Sequence, residues 1–309
     1  MKSIVLFLLT FISALPAAVT YSYDAAGRLA TVGYSNGSTI SYTYDKAGNV
    51  LSRSVQASTG PTITSVAVAN GGTDIAQNTW IVIKGTNLVP ANTPASGVVW
   101  SSAPDFAQGK MPTNLGGVSV TVNGNSAFIY FYCSAATSAV CASDQINVLT
   151  PLDNTVGPVP IVVTSGTTSS PPFTANMKAI APAFLLFDAA GHAAATHADG
   201  SLLGPTSLYP GLSTAAEPNE TITVYGVGFG LPATALANGS SMQSGSLPSN
   251  PVCQIGGSIA AVSFAGLTLP GLYQLNMTVP ASANSGDNAL SCSYNGSTTP
   301  AGALITVQQ

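Results

Sequence analysis

Charge is what this chain of 309 residues has least of: seven Lys and Arg and eleven Asp and Glu, 6% of the sequence. Soluble domains usually carry about 25% charged residues. With a net charge of −4 and no basic stripe, the chain offers no electrostatic footprint for nucleic acid or an anionic membrane surface. Histidine is nearly absent too, so imidazole chemistry is confined to His192 and His197. No two cysteines form a C-x-x-C pair, which removes the commonest zinc and redox spacings. No Asp-x-Asp spacing supports calcium ligation. Capped helical periodicity never reaches ten residues after the first twenty, and no later apolar run approaches the roughly 20 residues of a membrane span. What the chain does have is 46% hydrophobic residues, 31 Gly and 21 Pro. That is ample for a packed core and argues against disorder.

The first twenty residues carry one early cation, Lys2, then an apolar run from Ile4 to Leu15 and small residues at Ala17, Ala18 and Thr20. This is the layout of a secretory signal peptide, residues 1–20, cleaved within 17–20. The run is shorter than a membrane anchor and is interrupted by Thr10, Ser13 and Pro16. The mature chain is therefore expected to be exported, secreted or at the cell surface, with no membrane span.

Tyr21-Ser-Tyr23-Asp24-Ala-Ala-Gly27-Arg28-Leu29 returns 21 residues later as Tyr42-Thr-Tyr44-Asp45-Lys-Ala-Gly48-Asn49-Val50. Each copy alternates aromatic and small polar residues as a strand does, then turns on Asp-x-x-Gly. Asn36-Gly37 between the copies is a hairpin signal. The pair resembles YD repeats, the Tyr-Asp units of Rhs and teneurin proteins, over residues 21–55. The resemblance implies β-structure. Members with many copies wind them into shells, which two copies cannot do, so a short meander packed on its neighbour is expected over 21–60.

A second, longer repeat fills the rest. Asn78 to Leu88 matches Asn219 to Phe229, Val120-Thr-Val122 matches Cys253-Gln-Ile255, Gln145 to Pro151 matches Gln274 to Pro280, and Ile161-Val162-Val163 matches Leu290-Ser-Cys292. The offset falls from 141 to 133 to 129, so the first copy carries insertions of 8 and 4 residues. The smaller one contains Cys133 and Cys141. Four cysteines allow three pairings. Local geometry favours Cys133–Cys141 closing a loop, and Cys253–Cys292, which stand where the first copy has Val120 and Val163, facing each other on buried strands. Zinc on the four thiolates, helped by a histidine, is the rival reading.

Strand signals of 4–8 residues separated by Gly, Asn or Pro turns give about seven strands per copy, hence an all-β chain: two tandem immunoglobulin-like β-sandwiches, 61–178 and 179–309, behind the N-terminal meander. The Gly-rich turn after a β-branched strand and the later Gln-Ile/Leu-Asn-x-x-x-Pro resemble IPT/TIG domains. More specifically, Ala181 to Phe184, Ala194 to Ser201, Pro205, Tyr225 to Gly230 and Leu272 to Asn276 are similar to an uncharacterised C-terminal domain of exported proteins from Solibacter-type acidobacteria. That resemblance spans residues 61–309 and implies fold and export, with no reaction and no assigned site residues.

Two constellations compete for a function. Asp188, His192, His197 and Asp199 lie within twelve residues and could serve a hydrolase or hold a metal if they converged. Alternation puts positions 192 and 197 on opposite faces, and the Asp-Gly spacings read as turns, so exposed histidines on a hairpin joining the copies are expected instead. Glu217 and Glu220 read as a solvated turn. Phe128-Ile-Tyr130-Phe131-Tyr132 is the other candidate: alternation places Phe128, Tyr130 and Tyr132 on one face, where aromatic rings could stack on sugars. Tyr225-Gly226-x-Gly228-x-Gly230 lacks the following helix that a dinucleotide loop needs. The expectation is a non-enzymatic binding or structural protein that needs no cofactor and touches extracellular polysaccharide or another surface protein. A hydrolase on His192, His197 and Asp199, or a scaffold for another exported protein, is the alternative.

Overall fold

The structure, a computed structural model, describes residues 19–34, 38–56, 60–69 and 72–309. The expected signal peptide up to Ala18, the Asn36-Gly37 turn and linker residues 57–59 lie outside the described residues. The chain divides into two compact units, one ending at Gly60 and one covering Pro61–Gln309.

The first unit is an antiparallel meander of β1 (Thr20–Tyr23), β2 (Leu29–Gly33), β3 (Thr39–Tyr44) and β4 (Val50–Gln56), in that order across the sheet. Its two outer turns are built alike. Asp24 Oδ1 accepts from the backbone N–H groups of Ala26 and Arg28, both at 2.9 Å, and Asp45 Oδ1 accepts from those of Ala47 and Asn49. Gly27 and Gly48 follow at φ 77° and 93°, which L side chains rarely adopt. Arg28 ties the repeats together. Its Nε donates to Asp24 at 2.7 Å, its Nη1 to the Asp45 carbonyl at 3.0 Å, and its guanidinium lies 4.6 Å from the centre of the Tyr44 ring.

The second unit is all-β and holds two sandwiches, each with one apolar core. In the first, β5 (Thr62–Ala67), β6 (Asp74–Ile75), β7 (Trp80–Thr86), β8 (Val118–Val122), β9 (Phe128–Cys133), β10 (Asp144–Leu149), β11 (Gly157–Ser165) and β12 (Phe173–Met177) form two sheets. One runs β5-β7-β10-β9 and the other β8-β11-β12-β6, with β6 parallel to β12. This is the strand order of an immunoglobulin sandwich: first, second, fifth and fourth strands on one sheet, third, sixth and seventh on the other. Burial alternates along β7, β8 and β10, as it must when one face meets the core.

The second sandwich repeats the plan with β13 (Thr221–Val227), β14 (Val252–Ile255), β15 (Val262–Leu269), β16 (Leu272–Thr278), β17 (Gly286–Tyr294) and β18 (Leu304–Val307). β13-β16-β15 lie on one sheet, and β14-β17 with β18 on the other. Short segments Ala183–Phe184 and Ala195–Thr196 supply the first strand by pairing with β13. The copies agree residue by residue: Lys84 pairs with Gln145 as Tyr225 pairs with Gln274, and Val120 pairs with Val163 as Cys253 pairs with Cys292. Both expected disulfides form, Cys133–Cys141 on the added loop and Cys253–Cys292 between the neighbouring strands β14 and β17 of one sheet. With every cysteine paired, no thiolate is left for zinc.

The sandwiches meet through loops and strand ends, and Ala183 and Val227 of the second join the core of the first. Buried Asn78 donates to Gln243 at 2.9 Å, the Met111 N–H donates to the Gly239 carbonyl at 2.8 Å, and the Ser241 N–H donates to the Gly109 carbonyl at 2.9 Å. No helix of the described residues is long and apolar enough to cross a membrane.

Candidate functional site

Where the sandwiches meet, aromatic residues gather. Trp80 opens β7, and its indole N–H donates to the Pro270 carbonyl at 2.7 Å. Pro270 and Gly271 form the two-residue turn between β15 and β16. Gly271 sits at φ +64°, and a Cβ there would fall 2.3 Å from Leu149 Cδ1 and 2.9 Å from the Trp80 ring. Only glycine permits this approach. Trp100 stands edge-on to Trp80 at 5.8 Å between ring centres, Tyr130 edge-on to both at 5.6 and 4.9 Å, and Phe106 stacks on Trp100 at 4.9 Å. These are the edge-to-face and offset arrangements that ring quadrupoles favour.

The four rings line a cleft of about 650 Å³ together with Leu185, Leu269 and Leu272. None of its lining side chains is charged; polarity comes from Asn147 and Ser241. Asn147 Oδ1 accepts from Gln145 Nε2 at 2.9 Å, which orients the amide.

The expected alternation along Phe128–Tyr132 does not hold. Pairing with β10 runs Ile129↔Val148 and then Phe131↔Asn147, so a β-bulge takes up Tyr130 and turns it outward, 41% exposed. Phe128 and Tyr132 are buried, 7% and 3% exposed. Phe128 packs with Met111 and Leu149, its ring against Gly239. Tyr132 joins the first core, where burial raises its phenol pKa. Of the three, only Tyr130 reaches the cleft. Its companions Trp80, Trp100 and Phe106 escaped sequence reasoning. The signal was present: the 8-residue insertion of the first copy falls between Leu88 and Val120, the stretch that carries Trp100 and Phe106 on a 3-10 turn (Trp100–Ser102) and a single helical turn (Pro104–Ala107). Trp80 takes the place that Thr221 has in the second copy.

The histidines do not converge. His192 Nδ1 lies 2.7 Å from Asp188 and its Nε2 3.5 Å from Asp287, beside β18. His197 Nδ1 meets Glu220 at 2.5 Å, and its Nε2 meets Thr214. Asp199 is held by the hydroxyl and N–H of Ser201. Each group thus has its own partner, and the pocket that a hydrolase on His192, His197 and Asp199 requires is not formed. The expectation of exposed histidines is also corrected: their side chains are only 11% and 14% exposed, because the segment is built into the second sandwich and not a free connection. Glu217 and Glu220 do bound a turn, the Glu220 N–H donating to the Glu217 carbonyl at 3.1 Å, but Glu220 is partly buried as the partner of His197. No cluster of three or more His, Cys, Asp or Glu suited to a metal occurs among the described residues. Gly33-Tyr34-Ser35-Asn36-Gly37 spells a nucleophile elbow, but it connects two strands where that motif needs a strand leading into a helix. Ser35 lies outside the described residues.

The family model of the RHS repeat matches residues 23–60. No curated protein matches the chain. Among solved structures, the Bacteroides ovatus mixed-linkage glucan utilization locus protein SGBP-B, in complex with a mixed-linkage heptasaccharide, is similar at 12% identity and a TM-score of 0.34, over 93% of this chain and 57% of that one. SGBP-B from a complex xyloglucan utilization locus in Bacteroides uniformis is similar at 18% identity and a TM-score of 0.22, over 80% and 49%. The Yersinia pseudotuberculosis adhesin InvE gives 8% identity and a TM-score of 0.20, over 81% and 60%. The chain spans about half to three fifths of the length of these three proteins.

Proposed function

We propose that the chain is an exported, non-enzymatic binding protein that holds polysaccharide at the cell surface or in the surrounding matrix, and that the aromatic cleft is its ligand site. One observation carries this reading: Trp80, Trp100, Phe106 and Tyr130 gather around an uncharged cleft of about 650 Å³. Sugar rings offer apolar C–H faces to aromatic planes and hydroxyls to a few amide and hydroxyl groups, so such a cleft suits them without opposite charge. Two disulfides fit an oxidising compartment. So do the signal-like residues 1–20 and the resemblance of 61–309 to IPT/TIG and Solibacter-type exported domains. The same reading takes 21–60 as the repeat meander, and 61–178 and 179–309 as the two domains that share the cleft.

The test is affinity electrophoresis of the full chain through gels containing hydroxyethylcellulose, xylan, galactomannan or polygalacturonate. Retardation in at least one gel is expected, weakened about tenfold or more in W100A, since truncating a central aromatic anchor costs roughly 2 kcal/mol. Free migration in every gel, or retardation equal in the wild type and W100A, overturns the reading.

A further inference from the structure

Beside the aromatic cleft lies a second cavity, of about 540 Å³, whose polar lining includes Asp105, Gln108, Lys110 and Thr113. Three stretches of chain serve both. Phe106 lines the cleft and Asp105 the second cavity, Tyr130 the cleft and Phe128 the cavity, Ser241 the cleft and Ser240 the cavity. One small apolar cluster backs them: Met111 and Phe128 face the cavity, while Trp80 and Trp100, which pack on the same cluster, line the cleft. The boundary is the short clasp where Lys110 pairs antiparallel with Ser240. Gln108, Gly109 and Lys110 are exposed along it, and Gly109 brings no side chain. A polymer leaving the aromatic cleft can therefore cross to the second cavity.

What sets this cavity apart is unspent hydrogen-bonding capacity. Eight of the nine aspartates in the chain hold a hydrogen bond on a carboxylate oxygen. The ninth, Asp105, holds none among the described residues, and neither do the side chains of Gln108, Lys110 and Thr113. A carboxylate accepts from two hydroxyls, an ammonium donates to hydroxyl oxygens, and an amide does both. Neighbouring hydroxyls of a sugar ring match that set. Asp105 and Lys110 offset each other in charge, so the cavity suits a ligand that carries none.

We propose that this cavity is a second sugar subsite, in which a neutral polysaccharide that stacks in the aromatic cleft continues over the clasp and places its hydroxyls against Asp105, Gln108 and Lys110. This rests on the reading of the aromatic cleft as a polysaccharide site and adds the class of polymer: an uncharged chain, held along a stretch longer than the cleft. Asp105, Gln108 and Lys110 stand in the same long stretch between Leu88 and Val120 that carries Trp100 and Phe106, so one insertion in the first copy furnishes both subsites.

Calorimetric titration of the full chain tests this, with disaccharides to octasaccharides cut from whichever of hydroxyethylcellulose, xylan or galactomannan retards it. Affinity should rise about tenfold or more from the shortest oligosaccharide bound to the longest, as hydrogen bonds to charged groups are added. Asp105→Ala combined with Lys110→Ala should abolish that rise, weakening the longest about tenfold and the shortest by no more than about twofold. W100A should weaken both. Unchanged tryptophan emission and thermal melting show that the double variant keeps its fold and its cleft. Should it melt early, Gln108→Ala and Lys110→Ala taken singly should each weaken the longest oligosaccharide about threefold and spare the shortest. Affinity that does not rise with length, a double variant that binds the longest like the wild type, equal loss for short and long, or retardation by polygalacturonate only overturns the second subsite and leaves the aromatic cleft standing. Free migration in every gel overturns both.

Discussion

Replacing Cys253 and Cys292 together by valine should cost the second sandwich about 3–4 kcal/mol. The bridge joins residues 39 apart, and closing a loop of that size in the unfolded chain lowers its entropy by about 13 cal/mol/K, or about 4 kcal/mol at room temperature. Valine is the natural replacement, because Val120 and Val163 occupy the same register of the first sandwich and are 1% and 0% exposed. The core is thus refilled and the loss is nearly all unfolded-state entropy. The shorter bridge, between residues 8 apart, should contribute only about 2.5 kcal/mol by the same account. Urea unfolding followed by circular dichroism measures both, with the midpoint of C253V/C292V falling by about 1.5–2 M for a slope near 2 kcal/mol/M. Trp80 and Trp100 belong to the first sandwich and line the cleft it shares with the second, so tryptophan emission reports the first sandwich together with that contact. Two results would refute the reasoning: a midpoint shift below about 0.5 M, or a C133A/C141A variant that loses as much as C253V/C292V.

Two further outcomes follow from the geometry. Gly271→Ala should destabilise the second unit by about 1–3 kcal/mol and shift tryptophan emission, because the added methyl strikes Leu149 and Trp80 at a positive φ; thermal melts with unchanged emission would contradict it. In the meander, Asp24 is held below its usual 3.8 chiefly by the Arg28 backbone N–H, and Asp45 chiefly by the Asn49 side-chain amide. Their folded pKa values lie below the unfolded ones, so the stabilisation is in force above about pH 4 and is lost as pH falls through the folded values. Hydrogen-exchange protection of β2 and β3, corrected for intrinsic rates, should drop over that acid range, and D24N should show the reduced protection at neutral pH.

Much of the fold was legible because it is written twice. The match of Val120 and Val163 with Cys253 and Cys292 fixed two facing strand positions, and the structure pairs them in register. The Asp-x-x-Gly turns of the meander were legible for the same reason, as each carboxylate caps its own turn locally. The site was far less so. Strict alternation failed at Tyr130 because a bulge costs a strand little, and no pattern within six residues announces it. Trp80 finds its partner, the Pro270 carbonyl, 190 residues away, a distance at which periodicity carries no information. Alternation already set His192 and His197 on opposite faces, but it wrongly left them exposed. What covers them comes from far along the chain, Asp287 on β17 and Glu220 just before β13, and the sequence pattern does not reveal those contacts.

That hydrogen bond between Trp80 and Pro270 also sets an order of events. The first sandwich has all its strands once the chain reaches Met177, and most of its core, though not Ala183 and Val227, is then present, well before Leu269 and Pro270 emerge. The cleft has no second wall until those residues arrive and the later sandwich docks. The cleft is therefore a late feature to form as the chain emerges, and a molecule cut within the second sandwich would carry the rings without the cleft.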